Sequence, residues 1–311
     1  MRAVEIVSIV FQQIVKMFLM MGIGFLCCRI RFLTEKGSQV LSDVALFIVL
    51  PCVIFTSFQI EYDGTILYGI IVSFILAAAA HILAMGAACL FVRGGSREQR
   101  ILERFHVIYP NCGFMGVPIA QAMFGENGVI YITAFLCAQN FFIWSHGVTS
   151  MKGGSFQKES LIQIFRAPVI IALALGMICF ICGIRIPGVI EEALESVGSM
   201  NTPLAMLVSG TAVAQTRIKE ALLRPRMYWM MVLRLLAVPG AVILLLSLVP
   251  VPDEIRLVTA MGSSAPTAAI STMFAVKYHR DVGYAAELFA GSTLCAAATM
   301  PAMIYLAQLL F

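Results

Sequence analysis

Tyr109-Pro110-Asn111-Cys112-Gly113-Phe114-Met115-Gly116-Val117-Pro118 interrupts an apolar run that extends from about Ile101 to Phe124. Proline removes a backbone donor and crowds the preceding turn, so a regular helix does not pass through this stretch unbroken. In a bilayer, broken backbone persists only where protein or a wet cavity satisfies its freed N–H and C=O groups. A polar break at membrane depth therefore points to a binding site. The plainer alternative is that its polar groups serve only the backbone they interrupt.

The rest of the chain supplies that membrane. Hydrophobic residues make up 60% of the 311, charged residues only 12%, and mean hydropathy is +0.92. Soluble domains carry roughly a quarter charged residues. Apolar runs of about 20 residues match a hydrocarbon core of ~30 Å. Ten are expected, at roughly 6–28, 38–58, 65–92, 101–123, 127–149, 166–183, 190–213, 228–249, 255–276 and 282–309. The fourth and ninth are interrupted, and Glu191, Glu192 and Glu195 crowd the start of the seventh. Residues 6–26 exceed a signal-peptide core and lack a small-residue cleavage pattern, so they read as a retained first span.

Basic residues orient the bundle. Arg29, Arg31 and Lys36 follow span 1; Arg93, Arg97, Arg100 and Arg104 follow span 3; Lys152, Lys158 and Arg166 follow span 5. Arg217, Lys219, Arg224 and Arg226 follow span 7, and Lys277 and Arg280 follow span 9, against Arg2, Arg185 and Arg256 on the other side. That bias predicts a multi-pass protein of the cell membrane with both termini outside. The scattered charge, with net +4, forms no basic face with interleaved aromatics, so nucleic acid is not expected as a partner.

The chain also echoes itself. Leu50-Pro51 in span 2 corresponds to Thr202-Pro203 in span 7, and the broken span 4 to span 9, where Gly262-Ser263-Ser264-Ala265-Pro266-Thr267 again mixes small, polar and proline residues. The expected organisation is a first repeat over 1–150 (spans 1–5), a linker over 151–165 and a second repeat over 166–311 (spans 6–10). Five spans is an odd number, so the second repeat runs inverted. The fold class expected is thus all-α and polytopic, with broken, crossing helices 4 and 9. Inverted repeats with discontinuous helices in corresponding places point to a secondary transporter.

Helix N-termini at such breaks offer free N–H groups and partial positive charge to an anion. Asn111 and Gly113 near Pro118, together with Ser263, Ser264, Pro266 and Thr267, form the expected substrate site. Gln139 or Asn140 in span 5 lines it or acts as glue between helices, and Asn201-Thr202 face the same choice. Lys16, Asp43, His81, Arg234 and Glu287 are ionisable within spans, which makes them functional candidates. Lys16 and Asp43 can instead snorkel to an interface. His81 and Arg234 occupy corresponding places in spans 3 and 8. His81 suits a proton relay or simple packing, and Arg234 suits a counter-charge to an anion.

Nothing in the chain suits catalysis. It lacks H-E-x-x-H, a Walker A loop and a dinucleotide fingerprint, and Ser145-His146 cannot form a triad alone. No cofactor or metal is expected. Cys179 and Cys182 form the one C-x-x-C, but no redox-type βαβ pattern surrounds them, so the nine cysteines read as small hydrophobes.

The stretch Tyr109-Pro110-Asn111, then Met115-Gly116-Val117-Pro118 and Ala122-Met123-Phe124-Gly125, resembles the crossover of the auxin efflux carrier family, which includes bacterial malonate- and malate-type permeases. Ala265-Pro266-Thr267 with Met273-Phe274-Ala275-Val276-Lys277-Tyr278 resembles the second crossover, and Leu50-Pro51 with Ile54-Phe55 resembles the family's second span. The resemblance covers nearly the whole chain. It implies a scaffold of spans 1, 2, 6 and 7, a mobile unit of spans 3–5 and 8–10, a homodimer, and elevator-like movement of a small organic anion across the lipid bilayer. Asn111, Pro118 and Pro266 match the crossover pattern, and Thr267 falls where plant members place a polar residue. Ala167-Pro168 departs from the Asn-Pro of many members, and the short central loop lacks the long plant insert, which favours a short dicarboxylate over auxin. A sodium-coupled symporter of bile-acid-transporter type shares the architecture and stands as the alternative.

Overall fold

A computed structural model describes residues 3–153, 166–216 and 224–311. Most of the expected linker, with Lys158, lies outside the described residues, as do Arg2, Arg217 and Lys219. Helices dominate, and the one β contact among the described residues is an isolated bridge, Pro110 to Thr267.

Among the described residues twelve helices follow in order: α1 Ala3–Arg29, α2 Glu35–Ser57, α3 Gly64–Phe91, α4 Arg97–Ile108, α5 Cys112–Lys152 and α6 Pro168–Cys182. Then come α7 Gly188–Gly198, α8 Asn201–Gln215, α9 Pro225–Ser247, α10 Asp253–Ser264, α11 Ile270–Lys277 and α12 Val282–Leu310. Six of them (α1, from Ser8, with α2, α3, α5, α9 and α12) are long and apolar enough to cross a membrane.

Starts are written locally. Thr34 accepts from the Gly37 amide, Asp63 from that of Thr65 and Asp281 from that of Tyr284. Ser96 and Gln99 cap α4 reciprocally. Each satisfies amides that the helix itself cannot. Pro110 ends α4 and Pro266 lies just past the end of α10, where each would otherwise need a donor it lacks.

Burial sorts the helices. The most apolar window of α5 is 67% buried against 28% for α1, so α5 is the inner element and α1 is peripheral. Leu19, Ile23, Leu26, Ile71, Ile75 and Ile178 point outward, as a lipid-facing surface requires. Inside the bundle, α1 and α8 pack backbone to backbone. A Cβ on Gly210 would sit 2.0 Å from the Met21 carbonyl oxygen, and one on Gly24 would sit 2.3 Å from that of Leu207. Only glycine permits this approach, which is how small residues join helices in lipid.

Within α5 the chain reverses at Gly125, whose φ of 59° and ψ of −139° suit a residue without a Cβ. The reversal splits α5 into a leg over 112–124, which leaves the break, and a leg over 126–152, which returns past it. Four π-turns, at Ala45–Val49, Cys112–Gly116, Ile143–Gly147 and Leu233–Ala237, widen α2, α5 and α9. The second of them lies within the broken stretch, and the fourth carries Arg234.

Candidate functional site

The two broken segments meet. The Asn111 amide donates to the Pro266 carbonyl at 2.7 Å, and the Ala268 amide to the Tyr109 carbonyl at 2.9 Å. Cys112 Sγ adds a contact of 3.1 Å to the Gly262 carbonyl. Each break thus satisfies backbone that the other exposes, as buried irregular structure must. Two helices, α4 and α10, end here, and two, α5 and α11, begin.

Arg234 holds the two ending helices together. Its fully buried guanidinium donates to Val107 of α4 at 2.9 Å, to Ser263 of α10 at 2.6 Å and to Ala265 at 2.8 and 3.1 Å. These are the carbonyls a helix C-terminus leaves unpaired, and they carry its partial negative charge. A planar fork on a weakly hydrated cation suits this task better than an ammonium. Among the described residues no carboxylate pairs with Arg234.

Around the break lie three amide side chains, each about nineteen-twentieths buried and each with an unsatisfied atom. Asn111 Nδ2 has no partner, and Asn111 is held only through its backbone, whose carbonyl accepts from the Met115 amide at 3.0 Å. Gln139 donates to the Pro110 carbonyl at 2.9 Å and leaves Oε1 unpaired. Asn201, at the start of α8, approaches the Gly113 carbonyl at 3.5 Å and leaves Oδ1 unpaired. A buried polar atom without a partner costs roughly 1–3 kcal/mol, so a cluster of them is a place for a polar guest.

The other expected residues sort clearly. Asn140 closes onto its own helix, donating to Leu136 at 2.8 Å, so it is Gln139 of that pair that reaches the break. Pro118 is buried in the first leg of α5, and a Cβ on Gly113 would touch Leu50 at 3.3 Å. Ser263 and Ser264 hydroxyls both return to the Ala260 carbonyl, at 2.8 and 2.7 Å. The Thr267 amide donates to Ser292 Oγ at 3.2 Å. His81 bonds the Ala77 carbonyl at 2.8 Å through Nδ1 and stacks on Phe142 at 5.5 Å, leaving Nε2 unpaired. It shares with Arg234, Pro110 and Ser263 a cavity of about 10 Å³, room for about one water. Lys16 is exposed and Asp43 half-buried. Glu287 is buried and bonds Arg224 at 3.0 Å.

Two buried residues of α4 go beyond those singled out in the sequence. His106 Nδ1 bonds the Thr267 hydroxyl across the break, and Glu103, wholly buried, binds Arg226 and the Tyr284 hydroxyl, the latter at 2.7 Å. Both lie inside the run from Ile101 to Phe124, and an ionisable residue at that depth is the signal that marks them.

A wider cavity opens on the arginine-bearing side, about 460 Å³ in volume, with Tyr109 in its wall. Tyr109 thus joins the break to the wall of this cavity. Its hydroxyl lies 2.9 Å from both the Phe142 carbonyl and His146 Nδ1.

Comparison with known proteins places the chain among membrane transporters. The profile of the family described as "Membrane transport protein" matches residues 9–160 and 154–304. The chain is 24% identical over 236 residues to a "Putative malonate transporter" of Rhizobium meliloti (strain 1021), covering 73% of this chain and 72% of that protein. It is 22% identical over 276 residues to "Uncharacterized transporter MJ1031" of Methanocaldococcus jannaschii, covering 84% and 86%. A helical bundle matched along most of its length by a transporter family is a transporter: the chain belongs to the membrane transport protein family, the auxin efflux carrier family its broken helix resembles.

Proposed function

We propose that this protein is a secondary transporter that carries a small organic anion, a carboxylate such as a short dicarboxylate, through a site at the paired breaks. The observation that carries the reading is the cluster of buried, half-satisfied amides on Asn111, Gln139 and Asn201 beside two helix starts. Amides and helix N-termini hold a carboxylate without a fully charged partner, which lets the ion leave again. Substrate binding then falls to Asn111, Gly113 and Gln139 with Asn201, while Pro118, Pro266 and Thr267 shape the break and Ser263 and Ser264 lie beside it. Asn140, expected to line the site, stands one residue from the side chain that reaches it.

The architecture belongs to the same proposal. Ten spans form two inverted repeats, α4 with the first leg of α5 and α10 with α11 being the broken, crossing members. Similar lengths support the pairing: α4 and α10 each run for 12 residues up to their break. The unit carrying the breaks moves against a scaffold that includes α1 and α8, which supplies Asn201. In the proposed site a guest touches both units, so its binding couples to their relative position. Homodimer assembly, the cell membrane as location and both termini outside complete the reading. The named activity of the Rhizobium relative supports malonate as the first substrate to try.

Replacing Asn111 by alanine tests the site. Reconstituted protein should lose carboxylate transport while yield, monodispersity and thermal midpoint stay near wild type. Undiminished transport by Asn111→Ala would remove Asn111 from the site.

A further inference from the structure

The cavity of about 460 Å³ on the arginine-bearing side is separate from the water-sized void at the breaks, and its lining is one-sided in charge. Arg97, Arg100 and Arg104 line it from α4, at spacings that put all three on one helix face, and His146, Thr149 and Ser150 line it from α5. Arg280 stands next to the lining residue Gly153, as Arg97 does, and donates to the Met151 carbonyl at 2.7 and 2.9 Å. No carboxylate is among the described lining residues. The two acids of α4 are engaged elsewhere. Glu98 accepts from the Asp281 amide at 3.0 Å, and Glu103 is buried against Arg226 and Tyr284.

The arginines are held, and among the described residues no carboxylate neutralises them. Arg97 donates to the Gly153 carbonyl at 3.2 Å and Arg100 to the Gly95 carbonyl at 2.7 Å, while Arg104 Nε is buried without a partner. Guanidinium groups gathered in one concavity repel each other and concentrate counter-ions. They also present the planar donors that carboxylate and phosphate groups accept in pairs. The volume falls in the range of small-ligand sites. A polar relay leads inward: Ser150 Oγ lies 3.4 Å from His146 Nε2, and His146 Nδ1 meets the Tyr109 hydroxyl, one residue before Pro110.

We propose that this cavity is a second anion site, built for a ligand with at least two negative charges: a di- or tricarboxylate, or a phosphate group, free or on a lipid. It reports its occupancy to the breaks through Tyr109. The site stands on its own lining and does not depend on Asn111, so it survives failure of the transport reading.

Calorimetric titration of the purified full chain at low salt, with citrate and inorganic phosphate as probes, tests it. The expected result is saturable binding of at least one probe. The pair Arg100→Gln and Arg104→Gln should weaken that binding tenfold or more, since lost charge-assisted bonds of about 1.4 kcal/mol correspond to tenfold. Arg97→Gln, at an exposed position that tolerates change, should weaken it severalfold and serves if the pair does not fold. Nanodiscs of phosphatidylcholine with and without phosphatidylglycerol separate the sources. Binding abolished by phosphatidylglycerol identifies a lipid headgroup as occupant, and binding retained identifies a soluble anion. Absence of binding by every probe in neutral lipid, or equal affinity in the arginine variants, overturns the proposal.

Discussion

Arg234→Lys separates a structural arginine from an electrostatic one, because it keeps the charge and removes the fork. In the structure the guanidinium spans two helix ends, with Val107 on one side and Ser263 and Ala265 on the other. A single ammonium nitrogen cannot hold both ends at bonding distance, so at least one buried carbonyl loses its donor. Each such loss costs roughly 1–3 kcal/mol. We therefore expect Arg234→Lys to lower stability by about 2 kcal/mol. Arg234→Met strips all three carbonyls, about 3 kcal/mol or more, offset by removal of a buried charge that itself costs several kcal/mol to desolvate. Thermal midpoints in one detergent, at fixed protein concentration, read both. For domains of 150–250 residues 1 kcal/mol shifts the midpoint by about 2–4 °C, so the lysine variant should fall by several degrees. Transport should fall with it, since the paired breaks loosen together. A lysine variant with wild-type midpoint and wild-type transport would show that Arg234 contributes charge alone.

Three further outcomes follow from the same structure. Gly210→Leu should break the α1–α8 contact, where even a Cβ would meet the Met21 carbonyl oxygen at 2.0 Å; overpacking of this kind costs about 1–3 kcal/mol or more, read as a lowered midpoint and reduced membrane yield. Arg226→Met should destabilise more than Glu103→Gln, because the former strands a carboxylate that is 0% exposed while the latter leaves an arginine side chain that is 31% exposed and can turn to water; about 3 kcal/mol is expected for the first by analogy with other broken buried pairs, and chemical denaturation midpoints rank the two. Replacing external sodium by potassium should leave transport unchanged; arrest in potassium would favour the sodium-coupled alternative.

The break at Tyr109–Pro118 is legible in the sequence because proline and asparagine in an apolar run have few structural explanations. Its partner near Pro266 is legible for the same reason, and the backbone bonds between Asn111 and Pro266 and between Ala268 and Tyr109 join the two segments. What the residues around the breaks do is less legible. Gln139 and Asn140 are adjacent amides, and only the phase of α5, set by its π-turns and the reversal at Gly125, decides that Gln139 reaches Pro110. Arg234 reads in sequence as a lone charge in a span. Its carbonyl partners come from segments distant in the chain, and no side-chain pattern records a carbonyl. The close packing of Gly24 and Gly210 is hidden for a related reason, since 24 glycines leave nothing to distinguish the two that touch backbone. The arginine cavity was visible only as a basic loop after span 3. The capping box at Ser96 turns that loop into a helix, and the helix puts Arg97, Arg100 and Arg104 on one face.

The central claim is that this chain carries a small organic anion by alternating access, and counterflow measures that directly. Proteoliposomes loaded with unlabelled malonate and diluted into a trace of labelled malonate should accumulate label transiently above its external concentration, saturably, and lose the effect with Asn111→Ala. Label that enters no faster than into protein-free liposomes, for malonate and for the other short carboxylates alike, would contradict the account.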